Sequence, residues 1–430
     1  MNETSELTLT LSQPAQLGDR ARKNFVLSTM EHVSGAVVRG AFAAAWLARN
    51  GPSKPGTPER EQFLDLFEGG VRFGPLLRAG TEFMSLAVVG HKYDPTDACV
   101  IVDYDRAMTD DDPPPYCPEC DSPLEQQRGL HGDRPSLVRR TSVAIGESGT
   151  AIPGQLFTRE LLQAGQAFRG TLTATLSQRA VLTSLGPVRI GGRRTTHGLA
   201  QVAIRDRGTP PTAQRRTDGD LVIRLRSPGI FTDDYGRPAR EPSPHNLERA
   251  LGVPARVVRS WTRWEQSGGW HAASGLPKHQ ELIVSAGSTF RIHPERPVND
   301  AALRTIASKG LGLRRHEGYG DLAPPPVLRR GRAEREEVQE AEAARTTDLM
   351  VRIVALSRLR FDARSGQLDP KGWQTALSVL RAHAEGNERA ALWLRRLAEG
   401  HPDAEVRAGL EFFLGLPLTD AVYIAQELSR

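Results

Sequence analysis

Two glycine-rich segments that carry paired arginines constrain this chain more than any other feature of its 430 residues. Residues 191–198 place Gly191, Gly192 and Gly198 around Arg193, Arg194 and His197. Residues 310–320 place Gly310, Gly312, Gly318 and Gly320 around Arg314, Arg315 and His316. Glycine lacks Cβ, so backbone amides can come close to a chain of phosphates. Arginine adds planar, bidentate donors, and histidine adds a donor that also stacks on a base. Neither segment fits a mononucleotide fingerprint. Residues 191–198 lack the GxxxxGK[ST] pattern, and no lysine lies nearby. RNA suits both segments better.

Each segment closes a similar series of signals. Leu7, Leu9 and Leu11 alternate with polar residues and predict a half-buried strand. Ser34 is a good N-cap for an apolar helix running through residues 41–48. A short helix follows at 62–67, then strands at 82–89, 142–145, 168–176 and 200–204. The polar stretch 208–219, with its paired prolines, marks a boundary. The pattern then repeats: a strand at 221–225, a helix at 246–251, a strand at 257–264, a hairpin of 282–285 with 289–292, and a helix at 299–308. The order predicts an α+β chain of two β-α-β-β-α-β halves. The first occupies residues 1–212 with inserted loops at about 48–80 and 93–140, and the second residues 213–330. From residue 333 helix formers dominate. Leu349, Ile353, Leu356 and Leu359 make one helical face, Trp373, Leu377 and Leu380 a second, and Leu392, Leu397, Leu410, Phe413 and Leu414 continue the series. Residues 331–430 therefore read as a helical domain of about three to five helices.

No run of eighteen apolar residues and no leader pattern is present, so the expectation is a cytoplasmic protein with no membrane partner. The net charge of +5 is unevenly spread: residues 334–430 carry −3 and residues 1–333 carry +8. Nine arginines fall between Arg189 and Arg226, against Asp206, Asp218 and Asp220. Asp103, Asp105, Asp110, Asp111 and Asp112 lie in a proline-rich stretch that reads as a solvated loop. The three cysteines are too few for a disulfide scaffold. Cys117 and Cys120 form half a zinc site, and His91, Cys99 and His131 are the other donors near in sequence. A structural zinc is the one cofactor this raises, and otherwise none is expected. Of the clustered Trp261, Trp264 and Trp270, Trp261 reads as core, while Trp270 sits in a glycine-rich loop where it would stack on RNA.

The run GLGLRRHEGYG at residues 310–320 resembles the C-terminal glycine-rich loop of the RAMP superfamily of CRISPR-associated proteins. HVSGAVVRGAFAAAWL, from His32, resembles that superfamily's first-helix motif. RTSVAI at 140–145, GQLF at 154–157, GWH at 269–271, GLPK at 275–278 and AGSTF at 286–290 look like the Csx-ten group, the large RAMP subunit of type III-D effector complexes. The likeness spans about residues 6–326 and does not extend to the helical tail. It implies a ferredoxin-like (RRM-like) fold for both halves and a non-catalytic, Cas-five-like role. Such a subunit caps the 5′ repeat-derived tag of CRISPR RNA (crRNA). It docks the large Cas-ten subunit and the first backbone RAMP subunit, and meets target RNA through the assembled complex in antiviral defence. The RNA-binding residues so implied or read are Ser34, Gly35 and Arg39 at a helix start, where amides favour phosphate; Arg189, Gly191, Gly192, Arg193, Arg194 and His197; Trp270 and Lys278; and Arg314, Arg315 and His316. The alternative is a metal-independent endoribonuclease processing repeat RNA, with His32, His197 or His316 as general acid or base.

Overall fold

The computed structural model describes residues 3–329, except 24–25, 94, 97, 100, 193–195, 207–211 and 272–275, and residues 370–428, except 385–386, 402–403, 417–420, 423 and 426–427. It forms two compact units, Met1–Arg329 and Arg330–Arg430.

The strand Glu3–Leu11 is central to the first sheet. Its alternation turns Ser5, Leu7, Leu9 and Leu11 inward, all essentially inaccessible. Ala167–Ala174 and Leu199–Asp206 flank it, both antiparallel. Arg72–Phe73 and Leu77–Arg78 form the edge beyond Ala167–Ala174, and Val188–Arg189 the edge beyond Leu199–Asp206. Helix α1 (Gly35–Asn50) begins at the Ser34 cap and buries Val38, Phe42 and Trp46, a spacing that puts one stripe on the core. Helix α2 (Pro58–Phe67) starts at Thr57 with proline at its first position. Helix α3 (Leu176–Ser184) starts in a capping box of Thr175 and Gln178.

The second sheet repeats this path. Leu221–Leu225, buried at every residue, pairs with Thr289–Pro294, which pairs in turn with Ala255–Trp261. Ala213–Arg215 and Leu322–Ala323 share the other edge of Leu221–Leu225. Helix α4 (Pro244–Leu251) and helix α5 (Asp300–Lys309) contribute Leu247, Leu251 and Ile306 to its core. Numbering the principal strands of each half along the chain, both sheets run in the order fourth, first, third, second, and every pairing is antiparallel. With Val188–Arg189 and Ala213–Arg215 set aside, the two sheets thus share a strand order that their sequences do not show.

Several expectations change. Arg72–Phe73 and Leu77–Arg78, inside a stretch expected to be an inserted loop, are sheet edges too short to show a period. The strand expected at 168–176 ends at Ala174, and helix α3 follows it in a stretch for which no element was expected. Leu276–Val284 pairs with Trp264–His271 and not with Thr289–Pro294, which is instead the third strand of its sheet. The acidic stretch is only in part a solvated loop, with Asp110, Asp111 and Asp112 exposed. Asp103 and Asp105 are buried and paired with Arg329 and Arg224. Asp110 pairs with Arg216 and Arg291, and Asp112 with Arg259. Much of the arginine-dense stretch therefore faces acidic partners rather than a ligand. Arg215 with Asp300 and Arg226 with Asp321 extend the same pattern.

In the second unit, the helices Pro370–Ala384, Glu388–Gly400 and Ala404–Gly415 pack Leu380, Leu394, Leu410 and Phe413 together. The expected helical face of Leu349, Ile353, Leu356 and Leu359 lies outside the described residues, and so does the side chain of Trp373. Among the described residues, no helix is long and apolar enough to cross a membrane.

Candidate nucleic-acid interface

The helix-start motif and the second glycine loop meet. Ser34 Oγ accepts the Val37 N–H at 3.4 Å and fixes the start of α1. Gly35, the next residue, is buried against the carbonyl of Phe73 on the sheet edge and against Gly318. A Cβ on Gly35 would lie 2.7 Å from Gly318 Cα, and one on Gly318 would lie 2.6 Å from Gly35 Cα and 2.5 Å from Phe73 O. Backbone thus touches backbone where the two halves join. Gly318 also has φ 87°, a conformation that glycine adopts without strain.

Around this contact lie the cations named from sequence, each with a partner. Arg39 donates through Nε to Phe67 O at 2.6 Å and pairs with Glu68, so its charge sits at the C-terminal end of α2. Arg314, itself left-handed at φ 50°, grips Glu317 with two bonds of 2.8 Å, pairs with Glu281 and lies over the Tyr319 ring. Lys278 reaches Glu317 at 3.3 Å. Burial alone would raise the Glu317 carboxyl, but the Arg314 hydrogen bonds and the charges of Lys278 and Arg314 hold it at about 2. His316 Nε2 is 3.5 Å from Glu68 Oε2, and burial, with Arg39 nearby, lowers its pKa and favours the neutral ring. The hairpin Trp264–His271/Leu276–Val284 stands beside this loop, joined through Ser267 Oγ and Tyr319 Oη at 2.7 Å. Between them opens a cleft of about 470 Å³ lined by Ser267, Lys278, His279, Glu281, Arg314 and Tyr319.

Next to the glycine contact, Arg72 and Arg315 line one small pocket together with Asp321. Arg72 Nη1 donates to Ser308 O at 3.2 Å and Arg315 Nη1 to Lys309 O at 3.4 Å, both at the end of α5. Burial first, then the charge of Arg315, pulls Arg72 down to about 10. Arg315 is lowered too, by burial and by Arg249. Lys309, Thr171 and Thr173 line the same small pocket, and Asp321, also in it, is paired with Arg226. Both guanidiniums stay charged at neutral pH and present bidentate donors to this pocket. Sequence reading named Arg315 but missed Arg72 and Lys309. Their only signal was position, just after α2 and at the end of α5.

The first glycine loop is built elsewhere. It joins Val188–Arg189 to Leu199–Asp206 at the sheet edge opposite Phe73, four strand spacings or about 19 Å away. Gly191 packs on Gln16 O and Gly198 on Ile190 O, with no room for a Cβ at either position. Gly192 N–H bonds Gln16 O at 3.0 Å, and Arg189 bonds Gln13 Oε1 at 2.9 Å and His197 O at 3.3 Å. His197 Nδ1 lies 2.7 Å from Thr196 Oγ1. Arg193 and Arg194 lie outside the described residues, as does the side chain of Trp270. His32 packs edge-on against Phe83 with ring centroids 5.1 Å apart. The three histidines of the nuclease alternative thus have different neighbours and form no common centre. Trp261 is core, as read from sequence.

Fold and site together define a class: a mixed α+β chain with two antiparallel sheets and a small glycine-lined, arginine-bearing pocket where they meet. No protein-family profile matches the sequence, and no curated protein matches it. Among solved structures, the chain is similar to a chain of the type III-B Cmr-beta complex bound to cognate target RNA and AMPPnP, at 11% identity and TM-score 0.37, over 66% of this chain and 86% of that one. It is similar to a Cas6-related protein from Pyrococcus furiosus, at 7% identity and TM-score 0.32, over 74% and 98%. It is also similar to a chain of a type IV-B CRISPR complex, at 17% identity and TM-score 0.27, over 47% and 90%. Likeness at this level identifies no function.

Proposed function

We propose that this chain is a non-catalytic crRNA-binding subunit of a CRISPR effector complex, made of two ferredoxin-like RAMP halves, with a Cas-five-like role in a type III-D assembly. The observation that carries the reading is the backbone contact of Gly35 with Gly318. The two motifs that resemble the superfamily, far apart in sequence, close on one another and leave Arg72 and Arg315 beside them in a small pocket. A single-stranded RNA tag supplies the spaced phosphates that such a pair accepts. A second basic surface suits the same ligand. On the hairpin Leu137–Ile145/Ala151–Leu162, Arg140 stands directly opposite Arg159, whose guanidinium lies over the Phe157 ring. The large subunit and backbone subunits would be its protein partners.

The test is fluorescence-anisotropy binding of repeat-derived 5′-tag RNA across a salt titration, with EDTA present. Arg72→Gln with Arg315→Gln is expected to weaken binding roughly tenfold or more and to reduce the log–log salt slope by about 1.4, the value for two lost phosphate contacts on single-stranded RNA. An unchanged slope removes the pocket from the interface. Site-specific cleavage of repeat RNA under these conditions, lost in His316→Ala, would establish the endoribonuclease reading in its place.

A further inference from the structure

A second centre lies in the insertion that follows Val88. His91 ends the strand Val88–His91, Cys99 lies in the next loop, and Cys117 and Cys120 come from one turn. Their donor atoms all fall within 4.8 Å of one another. These are all three cysteines of the chain. Cys99, Cys117 and His91 are buried. Cys99 Sγ and Cys117 Sγ are 3.9 Å apart, far beyond a disulfide bond of about 2.05 Å. That separation fits the edge of a tetrahedron built on metal–sulfur bonds of about 2.3 Å, which is about 3.8 Å. His91 supplies an independent sign. Its Nδ1 lies 2.9 Å from Val102 O, a carbonyl that can only accept, so Nδ1 carries the proton. Nε2 then presents a lone pair, yet it is buried with no hydrogen-bond partner. A buried acceptor left bare is costly, and a ring nitrogen whose other N–H is held by a carbonyl is how ligating histidines are oriented. His131, the other histidine raised from sequence, pairs with Glu82 in a separate two-stranded ladder.

We infer that His91, Cys99, Cys117 and Cys120 bind one Zn²⁺ in a closed Cys₃His site. With four protein ligands no position is open to water, so the ion is structural. Binding releases three thiol protons, including the one Cys117 directs to Glu119 Oε2 at 2.9 Å, and leaves three thiolates around a dication. The fold explains the need. Apart from these ligands, the small core here has only Val102, with Leu124 packed against it, too little to order an insertion by burial alone. The same insertion delivers Asp105 to Arg224, Asp110 to Arg216 and Arg291, and Asp112 to Arg259. The ion therefore sets the position of the acidic clamp that ties the first half to the second.

The experiment is metal analysis of the purified full-length chain, together with alkylation of its cysteines before and after chelation. One zinc per chain is expected after gel filtration, with all three thiols protected until a chelator strips the ion. Cobalt substitution is expected to give the thiolate-to-metal charge-transfer and tetrahedral d–d bands of such a site. Cys117→Ser with Cys120→Ser is expected to lose the metal. No zinc above background, with the thiols of the folded wild-type chain alkylated as readily without a chelator as with one, overturns the assignment. Iron in place of zinc does the same.

Discussion

At the scale of the residue, Gly35 and Gly318 carry the most consequence for their size. Gly318→Ala adds a methyl where Phe73 O and Gly35 Cα leave no room, on backbone already at positive φ. The expected cost is about 1–3 kcal/mol, read as a fall in the denaturant midpoint. Gly40→Ala is the matched control, since Gly40 is exposed on α1 with open space where its Cβ would stand. That change is expected to stabilise by about 0.5–1 kcal/mol through helix propensity. Equal effects of the two would refute the packing account. The motifs holding these glycines were legible in the sequence, because glycine beside arginine is a chemical pattern. Their meeting was not, because no local pattern says that residue 35 touches residue 318. The sequence made Arg39 and Arg314 look like free phosphate ligands for a related reason. Glu68, Glu281 and Glu317, which occupy them, lie at sequence separations that only the fold closes, or within a turn whose geometry composition does not reveal.

At the scale of the element, the second glycine loop is an ionic knot as much as a ligand site. Glu317 sits at about 2 in the folded chain, below its unfolded value of about 4.3. A depressed carboxyl contributes stability that is whole above the unfolded value and is lost as pH falls toward the folded one. The stability gap between wild type and Glu317→Gln is therefore expected to be full at pH 7 and to close between about pH 4.3 and 2. A gap that stays constant across that range would mean the Arg314–Glu317 pair does not order the loop. Elements differed in how well they could be read. The strand Glu3–Leu11 showed a clean alternation, and α1 a cap followed by an apolar run. Helix α3 was overlooked although Thr175 and Gln178 spell a capping box, because the apolar run before it pointed to a strand. The edge pieces Arg72–Phe73 and Leu77–Arg78 are too short to have a period, and they become strands only because Ala167–Ala174 is there to pair with.

At the scale of the whole molecule, acidic insertion and arginine-dense stretch neutralise each other, and net charge concealed this. Arg224 is among the largest side chains buried in the chain, with Asp105 at 2.5 Å. Burial lowers its pKa, and Asp105 offsets that. Asp105→Asn leaves a buried guanidinium without its counter-ion, at an expected cost of about 3–5 kcal/mol, measured by urea unfolding. Asp111→Asn, at an exposed position of the same insertion, is expected to change nothing measurable. Equal costs would show that the insertion acts only as a diffuse acidic surface. The Gly35–Gly318 contact has a further consequence, which belongs to time. A ribosome adding about 5–20 residues per second takes on the order of 15–60 s between making residue 35 and residue 318. Through that interval the start of α1 and the Phe73 edge emerge without the loop that covers them. That cover arrives only when nearly all of the compact unit Met1–Arg329 has left the ribosome. Any partner that captured this edge early would compete with the loop of residues 310–320.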